Sequence, residues 1–322
     1  MSRQIPLVFA INEALSEEMA RNDKIFITGE DVQAGVFRAS SGLVQKFGTD
    51  RVMDTPLAET VVAGAAIGAS MAGYHPVADF MFADFMWCCA DEIFLKAAKW
   101  HFIHGGKVQL PVVLFANIGG GARLGPEHSQ CPESVVMHNP GLKLVVPSCS
   151  ADAKGLLKTA LRDPNPVVYF YHKRLLGAMG EVPDGEYTIP FGKADIKKEG
   201  KDVTVVATAL MVQHALSVAK ELEGKISVEV VDPRTLEPLD IETIVKSVKK
   251  TGRVVIADED TKRCGVTAEI GMQIMENAFD SLDAPIQRVA AANYPLAGGY
   301  LEQYMLPGPQ NIKEAIEKVA KK

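Results

Sequence analysis

Short runs rich in β-branched residues, each followed by a longer stretch with helical apolar spacing, recur from Lys24 to Phe279. Such alternation has few solutions, and the commonest stacks β-α-β units into parallel sheets covered by helices. Strands are predicted at Lys24 to Thr28, Arg51 to Asp54, Val77 to Phe82, Val108 to Asn117, Leu142 to Pro147 and Val167 to Tyr171. Helices are predicted over Asn12 to Arg21, Glu59 to Gly73, Asp84 to His104 and Ala151 to Arg162. Between Lys173 and Asp202 the periodicity lapses into Gly, Pro and charge, as a domain connection does. The alternation then restarts, with strands at Asp202 to Thr208, Ser227 to Val231 and Arg253 to Ala257, and helices around Val212 to Leu222, Ile241 to Lys249 and Thr267 to Phe279. A chain of 322 residues is about two domains long. The expected fold class is α/β, with two domains over residues 1–185 and 186–322.

Charge and hydropathy remove several functions. The 34 Lys+Arg and 40 Asp+Glu leave a net charge of -6, with no basic block to neutralise a run of phosphates, so no nucleic acid is expected. The longest apolar run, Val61 to Gly73, falls short of the roughly 20 residues of a spanning helix, so no membrane is expected either. Ile5 to Ile11 is apolar, but Glu13, Glu17 and Glu18 follow without a small-residue cleavage site. Five cysteines, an odd number with no C-x-x-C pair, point to a reduced, cytoplasmic setting.

Nucleotide cradles come next, because an α/β chain invites one. Gly119 to Gly125 is glycine-rich, but it lacks the G-x-G-x-x-G order and Pro126 follows where a helix would open. His101 and His104 share a helix face, yet no Cys, Asp or Glu ligand stands at a recognisable spacing. The informative stretch runs from Asp54 to Gly68, where Glu59 opens a helix of small, apolar residues. Read plainly, Glu59 is a carboxylate favoured by the helix dipole. Read functionally, it is a carboxyl entering dry surroundings that ease proton exchange near neutral pH. Gly64, Gly68 and Ala72 recur every four residues, so another backbone can approach that face, from within the chain or from another subunit.

Several segments in order carry a resemblance: Gly29-Glu30-Asp31, Asp54-Thr55-Pro56-Leu57-Ala58-Glu59, Phe82-Ala83-Asp84-Phe85, His128-Ser129-Gln130, Pro140-Gly141-Leu142-Lys143 and Asp152-Ala153-Lys154-Gly155-Leu156-Leu157. Gly180-Glu181-Val182-Pro183, Asp202 to Val206 and Lys250-Thr251-Gly252-Arg253 continue it. Nearly end to end, the chain resembles the β subunit of thiamine-diphosphate-dependent 2-oxo acid dehydrogenases. The resemblance implies two three-layer α/β/α domains with mainly parallel sheets, a transketolase-like pyrimidine-binding domain and a transketolase C-terminal domain. It implies oxidative decarboxylation of a small 2-oxo acid of pyruvate type and reductive acylation of a lipoyl group, the acetoin dehydrogenase β subunit being the alternative. Half of a split transketolase-like ketol transferase and a non-catalytic assembly subunit are the other readings.

By the same resemblance, Glu59, Gly64 and Gly68 match the E-x-x-x-x-G-x-x-G motif of the domain holding the cofactor's aminopyrimidine. Glu59 is then the catalytic acid on a pyrimidine ring nitrogen, and Phe85 packs against that ring. His128 matches the active-site histidine that positions substrate and assists transfer to the lipoyl arm, a task suited to imidazole, whose ordinary pKa is about 6.5. A potassium ion would be bound mainly by carbonyls at Val112, Ala160, Leu161, Asp163 and Asn165. The chain departs from the family pattern at Tyr171-His172-Lys173 and at Glu92. It has no G-D-G motif, through which thiamine enzymes hold Mg²⁺ and diphosphate. An α partner in an α₂β₂ heterotetramer is therefore implied to hold Mg²⁺ and diphosphate, with a lipoyl acyltransferase core as a further partner.

Overall fold

The computed structural model describes residues 2–321, which divide into two compact units: Met1–Ile118 with Val135–Phe191, and Gly119–Ser134 with Gly192–Lys322. The first unit opens with β1 (Ser2–Pro6) and α1 (Leu7–Arg21), then β2 (Ile25–Gly29), α2 (Leu43–Phe47), β3 (Val52–Asp54), α3 (Glu59–Met71) and β4 (His75–Phe82). A 3-10 turn at Ala83–Cys89 and a π-helical stretch at Asp91–Ala97 lead into α4 (Ala98–Ile103). After β5 (Val113–Ile118) and a short helix α5 (Glu133–Met137) come β6 (Lys143–Val145), α6 (Ser150–Arg162), β7 (Val167–His172) and β8 (Met179–Pro183).

In this unit the parallel strands stand in the order β6-β7-β5-β4-β2-β3. β5 and β7 are buried at every position, as strands covered by helices on both faces must be. Their register, from Val113 opposite Val167 to Ile118 opposite His172, stacks β-branched and aromatic residues into one core. β3 and β4 flank β2 on opposite sides, so the connections leaving β2 and β3 run in opposite directions. Ligands of open α/β sheets bind at the carboxyl ends of strands beside such a reversal. A separate antiparallel pair joins β1 to β8, Ser2 opposite Pro183 and Pro6 opposite Met179.

The second unit holds β9 (Asp195–Lys198), β10 (Val203–Ala207), α7 (Ala209–Glu221), β11 (Val228–Asp232), β12 (Thr235–Glu237), α8 (Ile241–Thr251), β13 (Val254–Thr261), α9 (Val266–Ala278), β14 (Gln287–Ala291) and α10 (Pro309–Ala320). Its sheet runs β14-β13-β10-β11-β9, parallel except for β9. α8 shows why its limits fall where they do. Asp240 accepts the Thr243 N–H at the start, and Gly252, at φ 68°, turns the chain out at the end. No helix among the described residues is long and apolar enough to cross a membrane.

The predicted strands and helices are present, with differences at their limits. The single helix expected over Asp84 to His104 is three successive helical forms. The strand expected from Val108 begins at Val113, because Pro111 lacks an N–H for the ladder. β1, β8, β9, β12, β14, α2, α5 and α10 lie outside the elements the sequence predicts.

Candidate active site

Glu59 is the first residue of α3 and is half-buried. The turn before it is fixed by the Thr55 N–H on the Gly29 carbonyl, 3.0 Å, which sets the start of α3 against the carboxyl end of β2. Glu30, the residue after β2, is the charged neighbour this produces. Burial, then the charges of Asp31 and Glu59, hold the Glu30 carboxyl above its ordinary range. Among the described residues no donor is hydrogen-bonded or ion-paired to Glu59.

α3 presents two unlike faces. Val62, Ala63, Ala66, Ile67 and Ser70 are buried, whereas Gly64, Ala65, Gly68 and Ala72 are exposed and Val61 is 62% exposed. A Cβ added at Gly68 would meet nothing within 4 Å, and one at Gly64 only Glu92 Cγ at 3.8 Å. The surroundings of Glu59 are thus dry on one side of its helix and open on the other. At the surface Thr60 Oγ1 donates to the Cys88 carbonyl at 2.8 Å. Cys89 lies deeper, where burial and then Glu92 push its thiol up to about 12, so it is no nucleophile at neutral pH.

Phe85 is half-buried in the 3-10 turn and meets Phe82 edge to face at 5.5 Å. Phe82 in turn meets Phe37 at 5.2 Å. The turn is aimed by an irregularity at the end of β4, where Met81 takes φ 65° and the register with β5 shifts between Asp79 and Phe82. Asp79 Oδ1 accepts the Met81 N–H and Asn117 Nδ2 donates to the Met81 carbonyl, so both sides of the bulge are tied.

His128 belongs to the second unit, on the segment 119–134, and is half-buried. Its N–H reaches the Gly125 carbonyl at 3.3 Å, and Gly125, at φ 88°, makes the turn. The same segment ends in a buried carboxyl cluster. Glu133 lies with Asp258 and Asp260, one oxygen from each within 4.8 Å of the others. Burial, then its neighbours' charges, hold Glu133 well above the carboxylate range, and burial and Asp260 push Asp258 up to about 7.

The five positions expected to hold potassium all fall in the first unit, four of them at the end of α6 and the turn beyond it. The Asp163 carboxylate takes Lys143 Nζ on both oxygens, at 2.6 and 2.7 Å, and accepts the Asn165 N–H. The carbonyls of Ala160 and Val112 each accept one backbone N–H, from Asp163 and Val167, which leaves each a second lone pair. Asn165 Oδ1 is buried without a hydrogen-bond partner, the orphaned oxygen that a carbonyl-bound cation would satisfy.

The structure brings Glu59 and Phe85 into one unit around β2, α3 and the end of β4, and carries His128 on the other. Sequence reasoning missed Glu30 and the trio of Glu133, Asp258 and Asp260. Glu30 had a signal, a polar residue just past a predicted parallel strand. The trio had none, because Glu133 lies far along the chain from its partners.

Comparison with known proteins matches residues 3–179 to the transketolase pyrimidine-binding domain and residues 192–312 to the transketolase C-terminal domain. The chain is 43% identical, over 100% of its length and 99% of the relative's, to the acetoin:2,6-dichlorophenolindophenol oxidoreductase subunit beta of Cupriavidus necator. It is 44% identical to the 2-oxoisovalerate dehydrogenase subunit beta of Bacillus subtilis, over 97% of both. It is 41% identical to the pyruvate dehydrogenase E1 component subunit beta of Rhizobium meliloti, over 97% of this chain and 69% of that one. Among solved structures, a split gene transketolase described as an inactive beta4 tetramer superposes with a TM-score of 0.79 at 27% identity, covering 98% of each chain.

Proposed function

Since the chain belongs to the transketolase-like family, among the β subunits of dehydrogenase first components, we propose that it is the pyrimidine-side half of a split thiamine-diphosphate site. Its reaction is oxidative decarboxylation of a small 2-oxo acid of pyruvate type, followed by reductive acylation of a lipoyl group. The observation that carries this is Glu59: a half-buried carboxyl without a donor among the described residues, at the head of a helix whose small-residue face is open.

These residues suit the group. Thiamine diphosphate, when bound, supplies the carbon nucleophile and electron sink that amino-acid side chains lack. Glu59 holds a proton at its carboxyl and hydrogen-bonds a pyrimidine ring nitrogen. Beside it, burial and then the charges of Asp31 and Glu59 hold the Glu30 carboxyl above its ordinary range. Phe85 offers a ring face to the pyrimidine, and the bulge at Met81 fixes where that face stands. The small residues after Glu59 leave room for another backbone to close the site and exclude water. His128 positions substrate and receives or returns a proton during transfer to the lipoyl arm. Val112, Ala160, Leu161, Asp163 and Asn165 would hold K⁺, with Asn165 Oδ1 as the oxygen in want of a partner.

Mg²⁺ and the diphosphate fall to an α partner, in an α₂β₂ assembly working with a lipoyl acyltransferase core in the cytoplasm. Acetoin is the second reading, favoured by the full-length 43% likeness to an acetoin oxidoreductase β subunit. The test is purification of the tagged chain from its own host with its co-eluting chains, then assay of lipoyl-domain acylation with pyruvate, 2-oxoisovalerate and acetoin. We expect an equimolar partner carrying G-D-G and acylation from one of the three. Ketol transfer between sugars without lipoyl chemistry would overturn the reading.

A further inference from the structure

The carboxyl cluster of the second unit is not used by the reaction above. Asp258 and Asp260 stand two apart on β13, where its register with β14 shifts between Ala257 and Thr261, and Glu133 lies near the end of the segment that carries His128. All three are buried, at 1%, 7% and 1% exposure for Asp258, Asp260 and Glu133. The aspartates are held as acceptors. Asp258 receives the Asp260 N–H at 2.6 Å and the Thr208 hydroxyl. Asp260 receives the Thr261 N–H at 2.6 Å, the Val266 N–H at 3.3 Å and a donor from Ser134. Surroundings that only donate, as these do, suit ionised carboxylates, which only accept.

No lysine, arginine or histidine is ion-paired with any of the three among the described residues. Independently of the clustering, Glu133 Oε2 is fully buried with no hydrogen-bond partner. Thr267, next to the Val266 whose amide serves Asp260, also carries a buried hydroxyl without one. Buried carboxylates are paired, protonated or bound to a metal, and an orphaned oxygen facing two ordered carboxylates is the arrangement a cation completes.

We propose that Glu133, Asp258 and Asp260 form a site for a hard divalent cation of Ca²⁺ size, which fastens the His128 segment to β13. The donors are all oxygen, which excludes metals that prefer thiolate or imidazole. A spacing within 4.8 Å accommodates the roughly 2.3–2.6 Å ligand distances of Ca²⁺, and Mg²⁺ is disfavoured because it keeps several waters, for which an enclosed cluster has little room. The site is distinct from the potassium positions, which lie in the other unit, and from the diphosphate site, for which this chain lacks the motif. It does not depend on the proposed reaction.

The experiment takes the full-length chain stripped with chelator and dialysed, and titrates CaCl₂ against it by calorimetry, with MgCl₂ as comparator. Circular dichroism verifies folding throughout. We expect one Ca²⁺ per chain, a rise in thermal midpoint with Ca²⁺, and slower tryptic cleavage at Arg123 in the same segment. Glu133→Gln and Asp260→Asn should each weaken Ca²⁺ at least about tenfold, and Glu223→Gln should leave it unchanged. Failure of the folded wild-type chain to take up Ca²⁺ at about 1 mM overturns the site, protons then being what the cluster shares. Uptake that Glu133→Gln leaves undiminished overturns it equally. Turnover is read in neither arm, so loss of this site and loss of the dehydrogenase reading are separable.

Discussion

Asp79 shows how one side chain tied to the site also sets the chain's response to pH. Burial pushes its carboxyl up to about 7, and the Met81 N–H pulls the other way. A carboxyl raised in the folded state favours folding while protonated, so this contribution is present at acid pH and is lost as pH rises from about 4 through about 7. Asp79→Asn keeps an oxygen for Met81 and removes the titration. Unfolding free energies from urea titration at pH 5 and pH 8 should therefore fall less with pH in the variant, by about 2 kcal/mol after allowance for the part-exposed side chain. Equal slopes would contradict the argument. Glu59→Gln should lower lipoyl-linked turnover at least about 10²-fold with cofactor binding retained in the assembled enzyme, and near-full activity would remove Glu59 from its role. His128→Ala should spare cofactor binding and depress lipoyl acylation. Sequence singled out Glu59, Phe85 and His128 because they sit in motifs of fixed order. What was not legible was environment. A run of small apolar residues after Glu59 reads the same whether its face is packed or open, and Gly64 and Gly68 are open.

At the scale of elements, α1 and α6 are joined through charge. Lys154 and Lys158, 2% and 0% exposed, reach Glu13 and Glu17, and Lys158 also pairs with Glu186. Arg162 reaches Glu18, itself 1% exposed. Lys158 is buried, but its glutamate partners Glu17 and Glu186 are 42% and 61% exposed and can turn to water, so Lys158→Ala should cost about 1–3 kcal/mol of unfolding free energy. A loss below about 1 kcal/mol by denaturant titration would mean the glutamates find water instead. The sequence revealed α6 and most of α1 by their apolar spacing, but not this clamp. The strands follow the same division. β5, β7, β10 and β11 carry long β-branched runs because they are buried on both faces. β8 and β9 lie in the segment of Gly, Pro and charge, and their existence depends on partners distant in sequence. The stretch from Asp84 to His104 keeps its apolar spacing through 3-10, π and α turns, since side-chain pattern does not report which carbonyl an amide reaches.

Across the whole molecule, the proposed function makes the chain, which has no G-D-G motif, half of a site. Alone, it should bind thiamine diphosphate and Mg²⁺ at least about 10²-fold more weakly than the assembly with its partner, measured by calorimetry, and show no turnover. Tight binding by the isolated chain would argue for a diphosphate cradle of another kind. The fold class, α/β in two domains, was readable at this scale because alternation of strands and helices is a property of the entire sequence. The assignment of residues 119–134 to the second unit was not, since it depends on where a loop comes to rest. The pairing of β1 with β8 also orders events during synthesis. Ser2 finds its ladder partner only when Pro183 has left the ribosome. Until then the backbone groups of β1 stay unpaired, an open edge that can recruit other chains. Slow translation before residue 183 should therefore lower soluble yield more than slow translation after it.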